Sequence, residues 1–128
     1  MSFPFDPHQG LVVVRTEIFG PRGSAIVRLA LDTGATKSLI NTGLLFAIGY
    51  DAALVPDRVE ITTGSGIEYV PQVALTKLIA LGQERLDFQI LCHTLPPSAG
   101  IDGLLGLDFF RGHKLVLDFQ TGRISLET

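Results

Sequence analysis

Apolar runs in this chain are short, and glycine or proline cuts each of them off. Fourteen glycines and seven prolines in a hydrophobic sequence favour many short strands joined by tight turns. Leu11 to Phe19 and Ser24 to Leu31 read as strands about the turn Gly20-Pro21-Arg22-Gly23. The second alternates, with Ala25, Val27, Leu29 and Leu31 on one face and Ile26, Arg28 and Ala30 on the other. Asn41-Thr42 can cap a short helix through Leu44, Leu45 and Ile48, with Gly49 placed to end it. Val59 to Thr63 and Tyr69 to Leu75 bracket Gly64-Ser65-Gly66 as a hairpin with a small, flexible tip. Thr76 to Leu81 and Arg85 to Cys92 form a further pair across Gly82-Gln83. After the loop Pro96 to Gly100 come the apolar stretch Ile101 to Gly106, a short helix Leu107 to Gly112, and a last hairpin, Leu115 to Phe119 with Arg123 to Leu126. The expectation is one nearly all-β domain over residues 1–128, with no internal repeat and no linker.

Its 128 residues suffice for one core without metal or disulfide staples. Hydrophobic residues are 46% and charged residues 18%, which excludes disorder. A net charge of −3 without a basic cluster argues against a nucleic-acid partner. Cys92, the one cysteine, allows no intrachain disulfide and reads as a buried strand residue. His8, His93 and His113 are scattered, so no metal site is expected. Met1 to Asp6 lacks the features of a signal peptide, and no apolar run approaches the roughly 20 residues that span a bilayer. A soluble, cytoplasmic protein with no membrane association is expected.

Three arrangements carry chemistry. The first, Leu29-Ala30-Leu31-Asp32-Thr33-Gly34-Ala35, sets a carboxylate at the end of an apolar strand, on a turn closed by glycine. Asp-Thr-Gly alone is a weak signal, arising by chance in roughly a few per cent of chains this long. The second, Leu104-Leu105-Gly106, suits a strand passing close to another backbone. The third is the Gly64-Ser65-Gly66 hairpin between them, which can act as a lid over a cleft. It lacks the third glycine and following helix of a dinucleotide site. Asp102 and Asp108 read as turn and cap residues, Asp118 as a turn residue, and Tyr69 as a strand aromatic.

In this order and spacing, from about Gly23 to Leu126, the three resemble the retropepsin-like aspartic proteases, and the cellular and bacterial members more than the retroviral ones. The resemblance implies a closed β-barrel with one or two short helices, half of a pepsin-like bilobal fold. It implies an aspartic endopeptidase without cofactor or metal, whose partners are a second copy of the chain and an extended peptide. Asp32 would be catalytic, one from each copy. Thr33 would lock the two loops together, Gly34 would admit the substrate backbone, and Ala35 would complete the loop. Gly64, Ser65, Gly66 and Ile67 would form a flap, and Leu104, Leu105 and Gly106 would support the loop. Ala35 stands where a serine could donate a hydrogen bond to the carboxylate, so a working pH of about 5–6.5 is expected, less acidic than pepsin's. Retroviral members have acidic residues at the positions of Thr36 and Lys37 and an arginine at that of Leu107; the departures remove their interface ion pairs and their acidic substrate contacts. The alternative is a non-catalytic homodimeric module of the same fold for peptide binding or assembly. The intact Asp-Thr-Gly favours catalysis.

Overall fold

The computed structural model describes residues 1–128, apart from the side chain of Thr63. Ten strands and two short helices follow one another: β1 (Ser2–Pro4), β2 (Val13–Gly20), β3 (Gly23–Leu31), β4 (Leu39–Ile40), α1 (Thr42–Ala47), β5 (Arg58–Thr63), β6 (Gly66–Ala80), β7 (Gln83–Cys92), β8 (Gly103–Leu105), α2 (Leu107–Phe110), β9 (Lys114–Asp118) and β10 (Arg123–Glu127). The main sheet runs β2-β3-β8-β4-β7-β6-β5, and β2 also pairs with β6. That last pairing closes β2, β3, β8, β4, β7 and β6 into a barrel, which removes the exposed edges an open sheet would carry. β5 lies outside the barrel, paired only with the first part of β6. A separate antiparallel sheet, β1-β10-β9, joins the two ends of the chain.

The alternation of β3 holds as far as Leu29; Ala30, expected on the outer face, is 2% exposed, and Leu31, expected on the inner face, is half-buried, because the strand is by then flanked by β8 and runs into the Asp32 turn. Val27 and Leu29 are fully buried, while Ile26 and Arg28 face outward. They meet Ile18, Ile40, Leu45, Leu75, Leu78, Ile90, Leu105 and Phe109 in one core. Each such side chain contributes roughly 1.5–3 kcal/mol on burial. The short helix α1 ends as the glycine predicts. Gly49 has φ of 109°, its N–H donates to the Phe46 carbonyl, and the Tyr50 N–H donates to the Leu45 carbonyl. These are the two bonds of a Schellman stop. Asn41 begins the helix through its backbone carbonyl, with no side-chain cap.

Tyr69 to Leu75 and Thr76 to Leu81, expected as separate strands, are one 15-residue strand, β6. The expected break survives as a change of phase. Val73 and Leu75 are buried before it, Leu78 and Ala80 after it. Between them the Thr76 N–H donates to the Tyr50 hydroxyl at 2.9 Å, and Asp87, on the facing strand β7, has φ of 52°. The strands β1 and β4 were not expected. Both are too short to show a period, and both are held by pairing with distant segments. Asp118 is the turn residue the sequence suggests. Its carboxylate accepts from the N–H groups of Gln120 and Thr121, and the Thr121 bonds lead in holding it below the usual carboxylate range. Among the described residues no helix is long and apolar enough to cross a membrane.

Cys92 lies at the end of β7, 4% exposed. Burial pushes its thiol up, against a smaller opposite effect of Arg58. In the native protein a water-soluble disulfide reagent should therefore modify it at least ~100-fold more slowly than in the urea-unfolded chain. Comparable rates in the two states would contradict this burial.

Candidate active site

β3 delivers Asp32 to the surface. The Leu31 N–H donates to the Val12 carbonyl at 2.8 Å and the Asp32 N–H to the Leu105 carbonyl at 2.9 Å, so the strand is held from both sides up to its last residue. The chain then turns sharply. The Asp32 carbonyl accepts from the Ala35 N–H at 3.2 Å, and its Oδ1 accepts from the Gly34 N–H at 2.9 Å. Asp32 is half-buried, and Thr33 and Gly34 at the tip are exposed.

Leu104-Leu105-Gly106 lies beneath this turn, as expected. β8 runs parallel to β3, with Ala30 opposite Leu104 and Leu31 opposite Leu105, and antiparallel to β4 on its other side. Two glycines permit the crossing. A β-carbon at Gly103 would collide with the Leu39 carbonyl, and one at Gly106 would lie 2.7 Å from the Ala35 carbonyl oxygen. The Ala35 carbonyl in turn accepts the Leu107 N–H at 2.8 Å, and the Thr36 carbonyl accepts the Asp108 N–H at 3.2 Å. The start of α2 is thus bonded directly to the Asp32 loop.

A further tie is absent from the sequence expectations. Ser38, fully buried, donates its hydroxyl to Asp108 Oδ1 at 2.7 Å, and its N–H donates to Asp108 Oδ2 at 2.9 Å. The same hydroxyl oxygen accepts the Gly106 N–H at 2.9 Å. Asp108, expected only as a helix-cap residue, therefore fixes the far side of the Asp32 loop. Nothing local in the sequence signals a pair 70 positions apart. Ser38→Ala strands the buried Gly106 N–H and should cost about 1–3 kcal/mol, read as a fall in the urea midpoint. An unchanged midpoint would mean the tie is dispensable. Asp102 is likewise structural: its Oδ2 accepts the Arg28 N–H at 2.7 Å.

A cleft of about 540 Å³ opens beside the loop. It is lined by Gly34, Ala35, Thr36, Lys37, Leu39 and Leu91 together with Val59 to Thr62 of β5. The expected hairpin is present, its Thr63 opposite Gly66 and Gly66 at φ of 129°. Gly64, Ser65, Gly66 and Ile67 stand exposed at its far end, so the stem of the hairpin, rather than its tip, lines the cleft. Tyr69 is an exposed strand residue opposite Glu60. Among the described residues no group of His, Cys, Asp and Glu is arranged to hold a metal.

Comparison with known proteins places this architecture. No curated protein sequence matches the chain. A retropepsin-like aspartic protease from Rickettsia conorii superposes with a TM-score of 0.74 over 99% of this chain and 91% of its own, at 15% identity. The retroviral protease-like domain of Ddi1 from Leishmania major gives 0.59 over 92% and 94%, at 17% identity. Those identities speak to the fold, which is the retropepsin-like barrel. Residues 22–112 match the family described as "gag-polyprotein putative aspartyl protease", a span that holds the Asp32 loop, the hairpin and Leu104-Leu105-Gly106 together. The chain belongs to that aspartyl protease family.

Proposed function

We propose that the protein is an aspartic endopeptidase whose active site is assembled from two copies of the chain, each contributing Asp32. The observation that carries this reading is the Asp32 turn itself. One carboxylate stands at the end of a strand, braced by Leu105, Gly34 and the Ser38–Asp108 tie, and the next residues of its loop, Gly34 to Lys37, line a cleft of about 540 Å³. The chain has one such loop, and the chemistry needs two carboxylates. Two of them about 3 Å apart cannot both ionise, so the pair keeps one proton.

The ionised Asp32 takes a proton from a water held between the pair, and the water oxygen attacks the scissile carbonyl carbon. The protonated Asp32 donates a hydrogen bond to the carbonyl oxygen as negative charge develops there. Collapse of the tetrahedral intermediate breaks the C–N bond, and a carboxyl proton passes to the leaving amine. In this reading Thr33, exposed at the loop tip, meets the partner's loop, and Gly34 leaves room for the substrate backbone. Gly64, Ser65, Gly66 and Ile67 close over an extended peptide as a flap. The lone, buried cysteine suits a cytoplasmic setting.

The test combines cleavage of a peptide library with sedimentation over a dilution series. Activity per subunit should fall in parallel with the dimer fraction, with a pH maximum at about 5–6.5. Constant activity per subunit through the monomer regime would remove the shared site. A maximum near about pH 2–3 would remove the role given to Ala35.

A further inference from the structure

We infer that Lys37 selects peptides carrying an acidic side chain at a position flanking the scissile bond. The inference rests on the proteolytic reading above and names a specificity-determining residue for it. Lys37 lines the cleft together with Thr36, Leu39 and residues of β5. Its Nζ donates to Gln72 Oε1 at 3.1 Å. Gln72 is itself fixed: it is 7% exposed, its Nε2 donates to Asp57 Oδ2 at 3.0 Å, and its backbone N–H donates to the Asp57 carbonyl at 2.9 Å. A carboxylate only accepts and an ammonium only donates, so this amide has one orientation that satisfies both neighbours. Its oxygen faces Lys37, an exposed side chain, and offers the ammonium one fixed acceptor.

That bond leaves the ammonium without a direct carboxylate partner. Gln72 is neutral, and one of three ammonium donors is used on it. The side-chain ion pairs among the described residues are Lys77–Glu84 and Lys114–Glu127; no carboxylate pairs with Lys37. Asp57 bonds the far end of the Gln72 amide and forms no ion pair with Lys37. Glu60, which also lines the cleft, is an exposed strand residue that forms no ion pair with Lys37 and is held by no side-chain hydrogen bond among the described residues. Leu39, Val59, Ile61 and Leu91 make the rest of the cleft largely apolar. A side chain with an apolar stem and an anionic head, such as glutamate, satisfies both features. A bound peptide also excludes water from the cleft, which strengthens the attraction above its value at an open surface.

The experiment uses synthetic peptides with apolar residues at the scissile bond and Glu, Gln or Lys placed in turn at each flanking position. For the wild-type protein, kcat/KM should favour Glu over Gln by about fivefold at one flanking position, with Lys poorest. The preference should shrink as salt is raised. Lys37→Met should bring the Glu-to-Gln ratio at that position to about one, and Lys37→Glu should reverse the order towards Lys. Each is a ratio within one preparation, so partial unfolding of a variant does not alter it. Binding of the same peptides to the Asp32→Asn protein, read by fluorescence anisotropy, should show the same order. Equal use of Glu and Gln at every position, or a Glu preference that persists in Lys37→Met, would overturn the inference while leaving proteolysis intact. Selective binding without cleavage of any peptide would uphold the inference and remove the proteolytic reading.

Discussion

Asp32→Asn is expected to lower kcat/KM for peptide cleavage by more than about 10³-fold, with the thermal midpoint almost unchanged. The fold should not notice the change. Asp32 Oδ1 accepts the Gly34 N–H, and an asparagine oxygen can accept the same bond, while the Leu105 carbonyl bonds to the backbone of residue 32. The chemistry should notice it fully, because an amide can neither take the proton from water nor return one to the leaving amine. The two-copy site adds a quantitative signature. When wild-type and Asp32→Asn chains are mixed equally and allowed to exchange, about a quarter of the dimers carry two aspartates. Activity should therefore drop to about a quarter of that of an all-wild-type sample at the same total chain concentration, half of what independent sites predict. Retention of half the activity would mean that each chain works alone.

Gly103→Ala is expected to destabilise the protein by about 3–4 kcal/mol, a large part of what a domain of this size possesses. β8 is wedged between β3 and β4, and the added methyl would meet the Leu39 carbonyl and the Ile40 α-carbon. Both are backbone atoms of a paired strand, so no side-chain rotation relieves the contact. Gly64→Ala is the control. It lies at the hairpin tip with nothing within 4 Å of the added carbon, and it should shift stability by less than ~0.5 kcal/mol. Urea midpoints measured side by side decide the matter. Equal midpoints for the two variants would show that β8 can move away from β4, contrary to the packing described.

The sequence exposed the parts of this molecule whose physics is local. The alternation from Ala25 to Leu29 and the Gly49 helix stop depend on residues within a few positions, and both are found where expected; the turn at Gly82 is found one residue earlier, at Leu81-Gly82. The Asp32 loop and its Leu104-Leu105-Gly106 support were legible through a resemblance of spacing, and β3–β8 pairing is the physical content of that spacing. What remained hidden depends on distant partners. Ser38 looks like any loop serine until Asp108 is brought against it. Leu39-Ile40 is a strand only because β7 and β8 flank it. Thr76 heads a separate strand in the sequence reading, whereas in the structure a tyrosine from another element accepts its N–H and the strand continues through it.

The continuity of β6 also bears on how the hairpin beside the cleft can move. β6 pairs with β5 as far as Pro71 opposite Arg58, and with β7 from Gln72 opposite Leu91, without an intervening loop. Such an arm has no pivot and behaves as a cantilever, clamped at its root and deflecting most at its free end. Gln72, bonded to Lys37 and Asp57 at that clamp, ties the stiffness of the beam to the loop that carries Asp32. Inserting residue pairs at Gly64-Ser65 would lengthen the lever by roughly 3.3 Å per residue on each strand and leave the clamp untouched. Reach and anchorage are thereby separate design variables in this fold.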